Sequence, residues 1–140
     1  MKKEVAIEKP LKLIDRSEIA LVGSNGDNGY PNIKAMLKMR NEGLRKVWFS
    51  TNTSSMRVAQ FAKDPRACIY FVNSSEYEGL MLVGGITIHQ DAETKRLLWK
   101  EGFERYYPLG VNDPDYCVLC FTSKWANYYH ELENATFDVE

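Results

Sequence analysis

Of 140 residues only two are histidine and three are cysteine, and neither charge sign prevails: 18 basic residues face 19 acidic ones, a formal net charge of -1. Each scarcity excludes something. Without a basic excess there is no general electrostatic footprint for nucleic acid or an anionic membrane, so any anion must be bound locally. An odd number of cysteines argues against a disulfide framework and agrees with a reducing compartment. No segment approaches the ~18 consecutive apolar residues of a membrane span, and Met1-Lys2-Lys3-Glu4 has no apolar run behind its charges. The expectation is a cytoplasmic protein.

The histidine and cysteine supply also bears on metals. Cys117-Val118-Leu119-Cys120 tempts a redox or zinc reading, yet it lies in the apolar run from Tyr116 to Phe121, which reads as a buried strand. Strand positions three apart point to opposite faces, so the two thiols cannot share an ion. His89 and His130 are far apart in sequence, and no second cysteine pair completes a site.

What the chain does have is a succession of short strands. Its length fits one domain over residues 1–140, burying roughly two thirds of the unfolded surface. Lys3 to Arg16 carries Val5, Leu11, Leu13 and Ile14 in a helical pattern, and Pro10 predicts a break or kink. Ile19 to Ser24 is an apolar strand, and Asn25-Gly26-Asp27-Asn28-Gly29 a strong hairpin turn. The return strand, Ile33 to Met39, alternates Ile33, Ala35, Leu37 and Met39 against Lys34, Met36, Lys38 and Arg40. Asn41-Glu42-Gly43 turns the chain into Lys46 to Thr51. A capped helix from Ser54 to Lys63, with Val58, Phe61 and Ala62 inward, stops at Asp64-Pro65.

Ala67 to Val72 is continuously apolar and reads as a central strand. Leu80 to His89 is another, with Gly84-Gly85 marking a bulge or a close backbone approach. Asp91 to Tyr106 reads as helical with Leu97, Leu98, Trp99 and Phe103 buried. A Pro- and Gly-bearing loop leads to Tyr116 to Phe121, an extended piece around Tyr128-Tyr129, and a short strand from Thr136 to Val139. Sequential hairpins with helical insertions predict a mainly β fold, a closed antiparallel barrel.

The segment from Val47 to Arg57 carries the most chemistry. An apolar strand ends in the hydroxyls of Ser50 and Thr51, and Ser54 or Ser55 can cap the next helix, whose first N–H groups attract anions. Arg57 adds a planar donor fork that matches phosphate oxygens. A Ser-capped surface helix with a solvated arginine explains the same residues equally well.

The order of segments resembles the pyridoxamine 5'-phosphate oxidase-like family of flavin-binding split barrels, particularly its small general-stress-protein branch. The matching pieces are Gly29-Tyr30-Pro31 before the lysine-bearing strand, Trp48-Phe49-Ser50-Thr51 with Ser55 and Arg57, the Asp64-Pro65 stop, the Gly84 strand, Asp91, Trp99 and the Tyr107-to-Pro114 loop. The resemblance implies a six- to seven-stranded antiparallel split barrel with FMN in a cleft between the two barrels of a homodimer. Ser50, Thr51, Ser55 and Arg57 would meet the phosphate or ribityl chain, with Lys38 a second cation. Lys34, Ala35, Met36 and Leu37 would lie along the isoalloxazine ring, and Tyr129 would reach the partner's flavin.

Several positions depart from the family pattern. Met56 stands where a second cation often follows the serine, Gly79 where the oxidase proper has a glutamine, and Tyr129 where a tryptophan is usual. The arginine-x-histidine signature for the vitamin substrate is absent, since nothing after His130 is basic. These departures argue against a true pyridoxamine-phosphate oxidase. They leave an FMN-dependent oxidoreductase of unknown substrate, a module that binds flavin, haem or a deazaflavin without turnover, and an interaction protein that has lost its cofactor. Tyr106, Asp113, Asp115 and His130 are the groups to inspect near the ring, with loop capping or plain exposure as their competing roles.

Overall fold

Period-two patterning over most of the chain produces seven antiparallel strands, with one α-helix before the first strand and two more between strands among the described residues. The structure, a computed structural model, describes residues 3–140 with side chains from residue 7 onward, so the side chain of Val5 lies outside the described residues. The elements are α1 (Lys3–Arg16), β1 (Ile19–Asn25), β2 (Pro31–Glu42), β3 (Lys46–Asn52), α2 (Met56–Lys63), β4 (Arg66–Asn73), β5 (Glu78–His89), α3 (Ala92–Leu98), β6 (Tyr116–His130) and β7 (Glu133–Asp138). Strands run in the order β3-β2-β1-β4-β5-β6, and β3 also pairs with β6, closing a six-stranded barrel. β7 lies outside it, paired only with β6.

The barrel interior takes one face of each strand, with Val22, Phe49, Ile69, Phe71, Leu82 and Leu119 fully buried. α1 adds Leu13 and Ile14 to the same core. Pro10 does not break that helix, which runs on to Arg16. A proline forfeits one helical hydrogen bond, but anchoring of the following turn in the core decides the outcome. A buried carboxylate ties the helix end to the barrel: Glu78 accepts from Arg16 at 2.8 Å and from the Tyr128 hydroxyl. Burial, then the Glu78 contact, pushes the Tyr128 phenol well above its ordinary range.

Three further expectations need correction. The Asp91-to-Tyr106 helix ends at Leu98, because Trp99 turns to an extended backbone and Gly102 adopts φ 94°, so Leu97 stays exposed. Tyr116 to Phe121 and the Tyr128-Tyr129 piece are one 15-residue strand. In α2 the inward residue beside Phe61 is Gln60, held by Ser24 Oγ at 2.5 Å, while Ala62 is exposed. On β2 the more apolar alternate set faces outward: Ile33, Ala35 and Leu37 are exposed and Met36 is buried.

That outward set belongs to a wider surface. Across the strands Ile33 lies in register with Gly23, then Cys68, Val83 and Trp125, and Ala35 with Leu21, Tyr70 and Met81. The barrel thus carries an apolar outer face on which Ile33 is 69% and Val72 56% exposed. Cys117 belongs to the inner core, whereas Cys120 sits one strand face away, on the side of Tyr116 and Val118. Among the described residues no helix is long and apolar enough to cross a membrane.

Candidate functional site

β2 changes partners midway. It pairs with β1 from Pro31 to Leu37 and with β3 only from Lys38 to Glu42, with a register shift at Lys38/Arg40. The edge of its first half that faces away from β1 therefore has no strand against it. Such an edge offers backbone donors and acceptors to whatever lies beside it. Lys34, Ala35, Met36 and Leu37 line a cleft of about 290 Å³ at this split, together with Met39, Ser50, Thr51, Asn52, Phe103, Tyr106 and Tyr107.

The aromatic wall follows from the premature end of α3. Trp99, released from the helix, meets Tyr116 edge-on at 5.3 Å and Phe103 at 5.4 Å, while Tyr107 packs on Tyr116 at 4.7 Å. Burial pushes the Tyr107 phenol up to about 12, and burial also raises Tyr116. Both remain protonated throughout the neutral range. Tyr106 stays exposed at the cleft. Ser50 Oγ, on β3, is buried beside the Tyr116 hydroxyl, a contact that offsets part of the rise in the Tyr116 phenol.

Past the end of β3 the chain turns into α2. Ser55 is its N-cap and accepts from Val58 N–H at 3.3 Å, which leaves the amides of Met56 and Arg57 without intrahelical acceptors. Arg57 is half-buried and forms no ion pair among the described residues. A second hollow of about 460 Å³ lies along the helix, lined by Asn32, Met56, Gln60 and Lys63 among others. β2 thus supplies Asn32 to this hollow and Lys34 to Leu37 to the first, and the β3–α2 turn supplies Met56 and Asn52 in the same way. Ser55, the N-cap, and Arg57, the second residue of α2, lie between the two hollows in the chain but are in the lining of neither.

The expected second cation is not brought to this place either. Lys38 points under α1, where its Nζ donates to the Ile14 carbonyl and, at 2.7 Å, to Asn41 Oδ1. It caps the C-terminus of α1, where a cation offsets the helix dipole. Burial lowers its pKa while Asp15 raises it. Met39, the next residue, faces the cleft instead. Tyr129 lies opposite Gly79 on the outer face, against Tyr77 at 5.9 Å. Gly79 is itself covered, since a Cβ there would fall 1.9 Å from the Tyr70 hydroxyl.

Of the groups flagged for inspection, only Tyr106 lines the cleft. Asp113 and Asp115 serve as loop caps, accepting backbone N–H groups of Leu109 and Asp115 and of Ser54 respectively. His130 is at the far end of β6, its Nε2 buried without a hydrogen bond. Among the described residues no group of three or more His, Cys, Asp or Glu side chains is placed to hold a metal. Phe103, Tyr107 and Met39 were not expected as cleft residues. The run Tyr106-Tyr107-Pro108 was the available signal, for adjacent aromatics in a loop need a surface to cover.

Comparison with known proteins agrees with this architecture. Residues 6–139 match the sequence model described as "Pyridoxamine 5'-phosphate oxidase like". A crystal structure from Clostridium acetobutylicum, described as related to general stress protein 26 of B. subtilis in the pyridoxinephosphate oxidase family, is 49% identical, covers 99% of this chain and 97% of its own, and superposes with a TM-score of 0.87. General stress protein 26 from Bacillus anthracis shares 16% identity over 96% of this chain and 98% of its own, with a TM-score of 0.79. A haem binding protein from Mycobacterium smegmatis shares 12% over 99% of this chain and 59% of its own, with a TM-score of 0.76; at such identities the likeness concerns the fold alone. No curated protein matches the chain significantly. A split barrel with its cleft at the β2 branch, matched along almost its whole length, belongs to the pyridoxamine 5'-phosphate oxidase-like family.

Proposed function

We propose that this chain is a homodimeric FMN-binding flavoprotein of a reducing, cytoplasmic compartment, an oxidoreductase acting on a small planar aromatic or heterocyclic molecule. The observation that carries this reading is the cleft at the β2 branch, which the unpaired edge from Lys34 to Leu37 lines together with Ser50, Thr51 and Asn52 of β3. Backbone N–H and C=O groups along such an edge gain partners when a polar ligand lies beside them. The donor set around the cleft suits FMN: unpaired β2 edge for a polar ring edge, hydroxyls at Ser50 and Thr51, and a helix N-terminus with Arg57 for phosphate.

When bound, FMN supplies hydride-transfer chemistry. The chain's part is to bind and orient it, and to shield it with Phe103, Tyr106 and Tyr107. Those rings and Met39 leave Lys34 as the one cation lining the cleft among the described residues, a wall suited to an aromatic substrate and poorly suited to a phosphate ester. That agrees with the missing arginine-x-histidine signature and with an activity other than pyridoxamine-phosphate oxidation.

The dimer reading rests on the apolar outer face. At about 290 Å³ the cleft is at the lower limit of small-molecule sites, roughly 300–1,000 Å³, so a second barrel over the exposed face would complete it. Haem fits less well, because His130 Nε2 is buried and His89 Nε2 is engaged with Thr87 at 2.8 Å.

Titration of the purified protein with FMN, followed by absorbance and flavin fluorescence, is expected to show micromolar or tighter binding of one FMN per chain, with a dimer in sedimentation. A folded dimer that ignores FMN at micromolar concentrations sinks the reading. FMN held without reduction by any nicotinamide donor or reaction with oxygen would assign a binding module instead. The placement of Lys38 gives a further expectation: Lys38→Met should leave FMN affinity within about twofold while lowering unfolding stability by about 1 kcal/mol through the lost α1 cap.

A further inference from the structure

The turn that joins the two halves of the proposed phosphate grip is held from outside by Pro114 and Asp115, and chiefly by Asp115. Asp115, just before β6, accepts Ser54 N–H with Oδ1 at 2.8 Å and the Asn52 side-chain amide with Oδ2 at 2.9 Å. Its carbonyl accepts Thr53 N–H at 2.7 Å, and the neighbouring Pro114 carbonyl accepts the Thr53 hydroxyl at 3.0 Å. Every residue from Asn52 to Ser54 is thereby tied to this spot. Within the turn itself the only comparable bond among the described residues is Ser55 N–H to the Asn52 carbonyl at 3.0 Å.

Asp115 is in turn fixed from behind. Its N–H donates to Asp113 Oδ1 at 2.9 Å, and Asp113 Oδ2 accepts Leu109 N–H at 3.1 Å. The buried Lys95 donates to the Asp113 carbonyl at 3.0 Å. Hydrogen bonds from the Asn52 side chain and Ser54 hold the Asp115 carboxyl below the usual carboxylate range, so it is ionised at neutral pH. An anion this close to a phosphate site would weaken phosphate binding by repulsion alone; its two hydrogen bonds give the opposite effect, a turn already set in the binding geometry.

We propose that Asp115 is the positioning residue of the phosphate grip, locking Asn52–Ser54 so that Ser50 and Thr51 on β3 and Ser55 and Arg57 on α2 meet the same phosphate. This rests on the FMN reading above. A turn fixed in advance loses less conformational freedom on binding, and the gain falls on the ligand group that the turn contacts.

The test compares FMN with riboflavin, which lacks the phosphate, in wild-type protein and in Asp115→Ala, Asp115→Asn and Asn52→Ala. Asp115→Ala is expected to weaken FMN at least fivefold and riboflavin less than twofold. Asp115→Asn should recover most of the loss, because one oxygen still accepts Ser54 N–H and the Asn52 amide can rotate to face the new NH2. Asn52→Ala should show a smaller, phosphate-selective loss, and it serves if Asp115→Ala does not fold. Equal losses for both ligands, unchanged FMN affinity, or tighter FMN binding by Asp115→Asn than by wild type would each overturn the role of Asp115. Wild-type protein without FMN affinity would overturn the FMN reading and this role together.

Discussion

Alanine at Gly84 is expected to destabilise the barrel by about 3 kcal/mol, a large share of a domain's typical stability, and to lower the urea midpoint accordingly. β5 and β6 shift register between Val83 and Gly84. A Cβ at Gly84 would lie 1.9 Å from the Thr122 carbonyl oxygen and 2.9 Å from its carbon, and neither can swing aside because both are backbone. Relief needs β5 to part from β6, and these are the two strands with the longest shared ladder. A slip of one residue would send Leu80 and Leu82 to the outer face. Gly85→Ala is the control, as its Cβ would meet only the Pro65 carbonyl oxygen at 3.5 Å; a change within about 1 kcal/mol is expected. Equal midpoints for the two variants in chemical denaturation would show that the bulge yields without cost.

Gly84-Gly85 was legible in the sequence because a pair of glycines inside an apolar strand has few other uses. So were the Asn25–Gly29 hairpin and a serine cap at Ser54 or Ser55, of which the structure uses Ser55, each set by neighbours in the chain. Facing was less legible. Both alternate sets of β2 contain apolar residues, and periodicity alone does not say which one the core takes. The outer face repeats this at β4, whose unbroken apolar run serves the barrel interior through Ile69 and Phe71 and the outside through Cys68 and Val72.

The length of β6 was hidden by Thr122-Ser123-Lys124, a polar break that reads as a loop. Ser123 answers it by donating its hydroxyl to the Leu44 carbonyl at 2.6 Å and its N–H to the Arg45 carbonyl at 2.9 Å, contacts made far away in sequence. At the candidate site, the hydroxyl-bearing strand end and the capped helix could be read locally. The course of Lys38 could not, since it depends on where α1 ends, and the aromatic wall depends on Trp99 leaving α3.

Arg57→Ala is expected to weaken FMN binding at least tenfold, about 1.4 kcal/mol, with little change in stability. The side chain forms no ion pair among the described residues, so its removal from the fold should stay within about 0.5 kcal/mol, as for ordinary surface substitutions. Toward a phosphate it has much more to lose. Met56 leaves it the one cation in the first turn of α2, and Lys38 is committed to the Ile14 carbonyl. Loss of a hydrogen bond to a charged group costs roughly 1.5–3 kcal/mol, hence the tenfold lower bound. Arg57→Lys should fall between the two, because it keeps the charge and loses the bidentate fork. The interaction should also weaken as salt rises, and the difference between wild type and Arg57→Ala should shrink with it. Equal FMN affinities for wild type and Arg57→Ala at low salt would remove Arg57 from the site and return α2 to an ordinary Ser-capped surface helix.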